Sequence, residues 1–298
     1  MNEIEYVPRG AEVVDCMGGY DRHTVKVHNH GFVSLVDVMP RMVPADRMCE
    51  SAIVQAARVS YGQGLKTIKE DISVMRYLLS HRHTTPFEMV EFKFHAKMPV
   101  FVARQWIRHR TANVNEYSGR YSEIKDERWE PEGGWRSQST TNKQGSGAGI
   151  NYVPTEWSTG NDNAYVQVED ASYHEYQQRI EAGMAREIAR CCLPQSMYTE
   201  WYWKIDLHNL LHFLSLRADS HAQQEIQDFA NPMLALITPL IPNVIQAWND
   251  YSPWRDAVTI SAPEQHYITT GDSSRMSKRE LEAFPAKAAK LGLKIPTT

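Results

Sequence analysis

The sequence is 298 residues long, with 42% hydrophobic and 23% charged side chains, the composition of a soluble globular protein with a sizeable core. Its net charge of −4 argues against a general nucleic-acid-binding protein, because such proteins carry a basic excess. No run of about 18 apolar residues predicts a membrane span. The start of the chain lacks the apolar segment of a signal peptide, and the four cysteines suit neither a disulfide framework nor a metal knuckle, so we expect a cytoplasmic protein.

The first third of the chain predicts strands and two helices. Short apolar runs and glycines predict irregular structure with a strand or two in residues 1–45, followed by a helix over 47–60. From Thr67 onward apolar residues recur with helical spacing, which predicts an amphipathic helix that Pro86 brings to an end. In residues 90–96 apolar and polar side chains alternate, which predicts a half-buried strand.

The remainder of the chain reads mainly as helix. A helix that begins at Pro99 is predicted to continue to Arg110. Residues 130–164 are rich in Gly, Ser, Thr and Asn without periodicity, which predicts a long loop. The tail after Asp256 is polar and is predicted to be an appendage. The absence of an alternating βαβ series favours a helix-rich α+β fold, with further helices predicted over 165–192, 201–229 and 231–250.

Residues 108–122, RHRTANVNEYSGRYS, lie in an unusual concentration of positive charge. On a predicted helix Arg104 and Arg108 share a face, where like charges destabilise a helix by roughly a few tenths of a kcal/mol. Either the charges form a solvated basic face or they bind a phosphate group. The hydroxyl of Ser118 and the small Gly119 favour the phosphate site. Between residues 97 and 122 the only carboxylate is that of Glu116, and the cations are Lys97, Arg104, Arg108, Arg110 and Arg120.

A second motif, IDLHNLLHFLSLRADSHAQ, covers residues 205–223. His208 and His212 are four residues apart, the spacing at which a helix presents two metal ligands. A metal site would need Asp219 or His221 as a third ligand, and the motif contains no HExxH glutamate. Packing or contact with a ligand is therefore the favoured interpretation of the two histidines.

Two charged residues border this leucine-rich stretch. Asp206 is a candidate N-cap of the helix. Arg217 follows leucines that should be buried, and a buried arginine needs an anionic or strongly accepting partner.

Together these residues resemble the signature of the flavin-dependent thymidylate synthases, in which RHR is followed after seven residues by a serine. Four other segments also resemble that family, in the family's order: HRHTTPFE, PVFVARQW, NKQGS and LSLRADSHAQQEI. The five blocks span roughly residues 50–235, so the resemblance rests on far more than one short motif.

The resemblance implies a homotetrameric enzyme that methylates dUMP to dTMP, with active sites formed between subunits. Methylenetetrahydrofolate would supply the carbon, and FAD reduced by NADPH would supply the hydride. The implied fold is a helix-rich single α+β domain in which helices flank a mainly antiparallel sheet. We expect this domain over residues 1–257 and a C-terminal extension of unknown role over 258–298.

By position, the resemblance also assigns site residues, and it assigns no metal ligand. Arg217 is implied as the catalytic residue that holds the uracil edge. The residues implied to bind dUMP are Gln105, Glu116, Ser118, Gly119, Arg120, Arg190 and Arg217. Those implied to bind FAD are Ser60, His83, Thr85, Arg108, His109, Arg110, Glu116, Asp206, His208 and His212.

Many family members have an Asn-x-Arg pair and a later Asn where this chain has Asp206, His208 and His212, so the FAD contacts must differ there in detail. Two other functions stay open at this point. One is a metal-dependent phosphohydrolase that uses His208, His212 and Asp219. The other is a non-catalytic nucleotide- or RNA-binding protein that uses the basic segment. The acidic net charge of the chain counts against this second function.

Overall fold

The computed structural model describes residues 12–16, 20–131, 134–140, 145–150, 164–251 and 259–295. Its main element is a six-stranded sheet in the order β1-β2-β3-β4-β8-β5, in which every neighbouring pair is antiparallel. The strands are β1 (Glu12–Cys16), β2 (Tyr20–Val27), β3 (Gly31–Met39), β4 (Glu91–Pro99), β5 (Asn113–Glu116) and β8 (Tyr198–Asp206), and a separate hairpin contains β6 (Trp135–Gln138) and β7 (Ser146–Ile150).

Helices account for most of the other described elements, so the α+β fold with a mainly antiparallel sheet is confirmed. Within the described residues no helix is long and apolar enough to cross a membrane. The helices are α1 (Ser51–Arg58), α2 (Ile68–Ser80), α3 (Val100–Trp106), α4 (Ala164–Glu181), α5 (Arg186–Ala189), α6 (Leu207–Arg217), α7 (Gln224–Ile237), α8 (Pro242–Tyr251), α9 (Ala262–Thr270) and α10 (Lys278–Lys290).

The central strand β4 buries one face completely, as its alternating sequence predicts. Phe92, Phe94 and the residues that follow at every second position have no exposed surface. The partner strand β8 does the same with Trp201, Trp203 and Ile205. The prediction that residues 201–206 are helical is therefore wrong. In WYWKI every second side chain is buried, which is the pattern of a strand, and this strand pairs with β4.

Trp106, at the end of α3, packs into the core that this buried face forms. Its ring meets Trp201 and Trp203 edge to face, at centroid distances of 5.4 and 5.3 Å. Phe213 of α6 lies 5.3 Å from the same ring. Aromatic rings of this size contribute strongly to a core, so the end of α3 is held firmly against the sheet.

Other sequence-based predictions also need correction. Helix α3 ends at Trp106, so Arg108 lies beyond it and does not share a helical face with Arg104. The N-terminal segment contains three strands instead of one or two. The predicted 130–164 loop contains the hairpin of β6 and β7, while its residues 151–163 lie outside the described ranges.

The chain divides between Trp248 and Asn249 into two compact units. In the second unit, α9 and α10 both begin with a capping box, at Ser261 and Ser277. A small core of Tyr267, Phe284 and Ala288 joins them. The boundary predicted between residues 257 and 258 lies at the edge of 252–258, which are outside the described ranges, and stays a prediction.

Candidate active site

A cavity of about 350 Å³ opens where the segment after α3 meets α6. Five of the residues that the sequence singles out line it together, although they come from two distant parts of the chain. They reach it because Trp106 fixes the end of α3 and the buried leucines of α6 fix that helix. The lining residues are Arg108, His109, Arg110, Thr111, Ile205, Asn209, His212, Leu216 and Arg217.

Arg217 and His109 form the polar centre of this cavity. The Nε of Arg217 donates a hydrogen bond to Nε2 of His109 at 3.1 Å. Burial, together with the electrostatic effects of Arg217 and His212, lowers the pKa of His109 to about 4, so its imidazole is neutral at pH 7. Burial and the neighbouring Arg108 also lower the pKa of Arg217, which nevertheless stays charged at pH 7.

The cavity has an excess of uncompensated positive charge. Within the described part of the chain, Arg108, Arg110 and Arg217 have no carboxylate within ion-pair distance. The sequence predicts that Arg217 is buried beside an anionic or strongly accepting partner; the residue is half-buried, and its partner is the accepting Nε2 of the neutral His109. Three guanidinium groups without a counter-charge form a site for an anionic ligand.

Asp206 is the N-cap of α6, as predicted. Its Oδ1 accepts from the backbone N–H of Asn209 at 2.9 Å, and its Oδ2 accepts from the side-chain amide of Asn209 at 2.8 Å. The same helix carries His208 and then His212, whose ring lies 5.8 Å from that of His109. Among the described residues no cluster of three or more His, Cys, Asp or Glu could hold a metal ion, so the phosphohydrolase hypothesis finds no support there.

The turn after β5 forms a second group of predicted site residues, none of which lines the cavity. Glu116 accepts a hydrogen bond from Oγ1 of Thr199 at 2.6 Å. Ser118 accepts from the backbone of Arg120 at 3.3 Å. The guanidinium of Arg120 pairs with Glu187 at 2.9 Å, but both side chains are about half exposed, and such a pair stabilises by at most about 1 kcal/mol.

Gly119 is buried at the centre of this turn. A Cβ atom there would lie 2.9 Å from the side chain of Ile124 and 3.5 Å from Cδ of Arg190, so a glycine allows the close approach. Ile124 is held in turn by α4, because its N–H donates to the hydroxyl of Tyr176 at 3.0 Å and its carbonyl accepts from Tyr173 at 3.0 Å. The turn thus packs against Arg190 at the residue that precedes Arg120.

Asp206 and His208 do not line the cavity, and four other predicted residues also lie in neither group. Gln105 of α3 donates from Nε2 to Oε1 of Gln223 at 2.5 Å. Ser60 is exposed in a short 3₁₀ turn, 59–61, after α1. His83 and Thr85 are exposed after α2, where the ring of His83 lies 6.0 Å from that of Tyr77.

Sequence reasoning missed several residues of these groups. Asn209 lines the cavity and bonds to the N-cap, yet only its position three residues after Asp206 signals this. Thr199 and Glu187 hold Glu116 and Arg120, and nothing local in the sequence indicates it, because each pair joins segments far apart in the chain. The NKQGS segment covers residues 142–146, of which 142–144 lie outside the described ranges.

The chain is similar to known proteins of one family. A family described as "Thymidylate synthase complementing protein" matches residues 41–243. A flavin-dependent thymidylate synthase of Dictyostelium discoideum is 50% identical over 95% of this chain and 92% of its own length. One of Thermus thermophilus is 48% identical over 76% of this chain and 79% of its own length.

A solved structure is also similar. The UMP/dUMP methylase PolB of Streptomyces cacaoi, bound with 5-Br dUMP, superposes with a TM-score of 0.63 at 28% identity, over 76% of this chain and 98% of its own. The family match covers more than half of the chain, and the relatives match over most of their lengths. The chain is therefore an enzyme of the flavin-dependent thymidylate synthase family.

Proposed function

We propose that this enzyme methylates dUMP to dTMP, with methylenetetrahydrofolate as the carbon donor and NADPH as the reductant of a bound FAD. The observation that carries the proposal is the cavity with Arg108, Arg110 and Arg217, whose guanidinium groups have no carboxylate partner among the described residues. A flavin dinucleotide and a nucleotide monophosphate are anionic ligands of the kind that these groups bind.

The residues present suit FAD because its pyrophosphate needs positively charged groups that are not already paired with carboxylates of the protein. Arg108 and Arg110 would hold that pyrophosphate. FAD, when bound, supplies the hydride for the reductive step. The other proposed FAD contacts are Ser60, His83, Thr85, His109, Glu116, Asp206, His208 and His212.

Arg217 is the proposed catalytic residue. Methylation at C5 of uracil requires electron density on that carbon, and a guanidinium beside N3 and its neighbouring carbonyl stabilises the charge that develops there. The neutral imidazole of His109 accepts from the Nε of Arg217 and thereby leaves the Nη groups for the pyrimidine. Ser118 serves as a substrate ligand and not as a nucleophile.

The dUMP phosphate is proposed to bind at the turn after β5. Arg120 directly follows the buried Gly119, which lets the chain pass close to Ile124 and Arg190. The weak exposed pair of Arg120 with Glu187 would be exchanged for the phosphate at little cost. Gln105, Glu116, Ser118, Gly119, Arg120, Arg190 and Arg217 complete the proposed dUMP contacts.

We also propose a homotetramer in the cytoplasm. None of the residues that line the Arg217 cavity belongs to the turn that carries Arg120. If one dUMP uses both groups, a site shared between subunits supplies them, as the family resemblance implies.

The test is a visible absorption spectrum of the purified protein, before and after the addition of NADPH together with dUMP. We expect flavin absorbance that is bleached by NADPH and dUMP, and a protein that cannot bind FAD on reconstitution would refute the proposal. Arg217→Ala should lower dTMP formation by at least about a hundredfold with the fold intact, since one electrostatic contact to a developing charge contributes that much. Arg179→Ala, which removes a surface arginine of α4, is the matched control and should leave turnover unchanged.

A further inference from the structure

A chain of side-chain hydrogen bonds connects the β6–β7 hairpin with Gln105. Arg136 of β6 donates to Oε1 of Glu225 and also bonds to Ser146 of β7 at 3.0 Å. Oε2 of Glu225 accepts from Nε2 of Gln223 at 2.7 Å. The Oε1 of Gln223 then accepts from Nε2 of Gln105 at 2.5 Å. Every member of this chain is therefore joined to the next by one bond.

Glu225 is the buried member of the chain, at 1% exposure on the first turn of α7. Burial alone would raise the pKa of this carboxyl group, but the hydrogen bonds from Arg136 and Gln223 outweigh it and hold the pKa below its ordinary value. The group is thus an ionised carboxylate, which can only accept hydrogen bonds. An ionised buried group requires such donors, and both are present.

This property sets the direction of every bond outward from Glu225. Because the carboxylate only accepts, Gln223 must turn its NH₂ group inward and its carbonyl oxygen towards α3. Gln105 must then use an N–H of its own amide to reach that oxygen. A side-chain amide can otherwise flip by 180° with little change in shape. The buried charge of Glu225 therefore fixes which end of the Gln105 amide faces Gln223 and which end stays available to a ligand.

We propose that Glu225 is a positioning residue for substrate binding, which acts through Gln223 to fix the rotamer and the amide orientation of Gln105. The inference rests on the proposed role of Gln105 as a dUMP ligand. Glu225 itself does not touch the substrate. Arg136 supplies the counter-charge of Glu225. Because Arg136 lies on β6, the β6–β7 hairpin also helps to hold Gln105 in place.

The test is a double-mutant cycle on dUMP affinity, measured by calorimetry with the FAD-reconstituted enzyme. Glu225→Gln replaces the pure acceptor with an amide that can present either end, so we expect dUMP to bind about tenfold more weakly, the effect of a typical coupling between contacting residues. Gln105→Ala should weaken binding at least as much. In the Gln105→Ala background, Glu225→Gln should then have no further effect.

Two further variants guard against a purely structural effect. Gln223→Leu breaks the chain at an exposed position and removes one donor from Glu225, but it leaves the buried pair of Glu225 with Arg136 intact, so it should reproduce the loss of affinity while lowering the melting temperature no more than Glu225→Gln does. Glu264→Gln removes a buried carboxylate of the second unit, which bonds to Lys287 at 2.6 Å, and should leave dUMP affinity unchanged.

The outcomes separate this inference from the proposed function. If Gln105→Ala leaves dUMP affinity unchanged, the substrate role of Gln105 is wrong and the inference falls with it. If Gln105→Ala weakens binding but Glu225→Gln and Gln223→Leu do not, or if their effects add in full to that of Gln105→Ala, the positioning role alone is overturned.

Discussion

At the scale of single residues, the hydrogen bond between Arg217 and His109 depends on the protonation state of His109. The imidazole accepts from the guanidinium at 3.1 Å only while its Nε2 is unprotonated. Protonation of His109 would add a positive charge to a cavity that already holds three arginines. The low pKa of His109 therefore protects both the orientation of Arg217 and the capacity of the cavity for an anion.

His109 should also make stability depend on pH. Its pKa is about 4 in the folded protein and near 6.5 when unfolded, so between these values the unfolded chain binds more protons. Stability from this group is thus complete above pH 6.5 and is lost as the pH falls towards 4. We expect the melting temperature of the apoprotein to fall over this window more steeply for the wild type than for His109→Asn. Equal slopes in the two proteins would contradict this.

At the scale of secondary-structure elements, buried polar contacts hold the segments that carry the predicted ligands. Between α1 and α2, Nη1 of Arg58 bonds to Oδ1 of Asp71 at 2.5 Å and to the carbonyl of Gly64 at 3.0 Å. The same carboxylate accepts from the backbone of Lys66 at 3.2 Å. Ser60 lies within the loop that these bonds close, so its position depends on Asp71.

Removal of Asp71 should be strongly destabilising. The side chains of Arg58 and Asp71 are only 8% and 6% exposed, so Asp71→Ala leaves a buried guanidinium without its partner. We expect the free energy of unfolding in urea to fall by about 3–5 kcal/mol. Asp46→Ala, which removes a 70% exposed partner of Arg47, is the control and should change it by at most about 0.5 kcal/mol. A loss below about 1 kcal/mol for Asp71→Ala would show that the buried pair does not anchor this loop.

The clamp of α4 on Ile124 predicts a coupling between stability and binding. Tyr176→Phe removes the hydroxyl that accepts the N–H of Ile124 and leaves that group unsatisfied beside a buried ring, so unfolding should become easier by about 1–3 kcal/mol. Because Ile124 supports the turn at Gly119, dUMP should also bind several-fold more weakly by calorimetry. Tyr267→Phe, in the core of the second unit, is the control and should not affect binding. Unaltered dUMP affinity in Tyr176→Phe would separate the clamp from the site.

At the scale of the whole molecule, the predicted ligands occupy separate groups on one chain. The cavity of Arg217 and the turn of Arg120 lie in the same compact unit, yet the residues that line the cavity include none from the turn. An enzyme that needs both groups at one substrate can combine them across a subunit interface.

The proposed sharing of sites between subunits predicts complementation between inactive variants. Arg217→Ala and Arg190→Ala each remove one group, so each should be nearly inactive on its own. After the two proteins are mixed, unfolded and refolded together, some sites should combine an intact Arg217 with an intact Arg190 from another subunit. We expect dTMP formation to reappear in the mixture. If the mixture stays as inactive as its components, each site draws both arginines from one chain.

The sequence by itself determined the properties that are local or periodic. Alternation in residues 90–96 predicted β4, helical spacing predicted α2, and Asp206 was identified as an N-cap, because each of these signals lies within one element. The order of five sequence blocks was sufficient to indicate the family, because a family resemblance depends on which residues follow one another along the chain and not on their positions in space.

Only the tertiary structure decided how distant segments combine. The sequence of β8 predicts a helix, because its Trp and Tyr residues are compatible with a buried helix as well as with a strand. Pairing with β4 decides for the strand. The end of α3 at Trp106 depends on a core built from β8 and α6. The neutral state of His109, and the buried Glu225 behind Gln105, follow from burial and from partners far away in the chain, which no local pattern records.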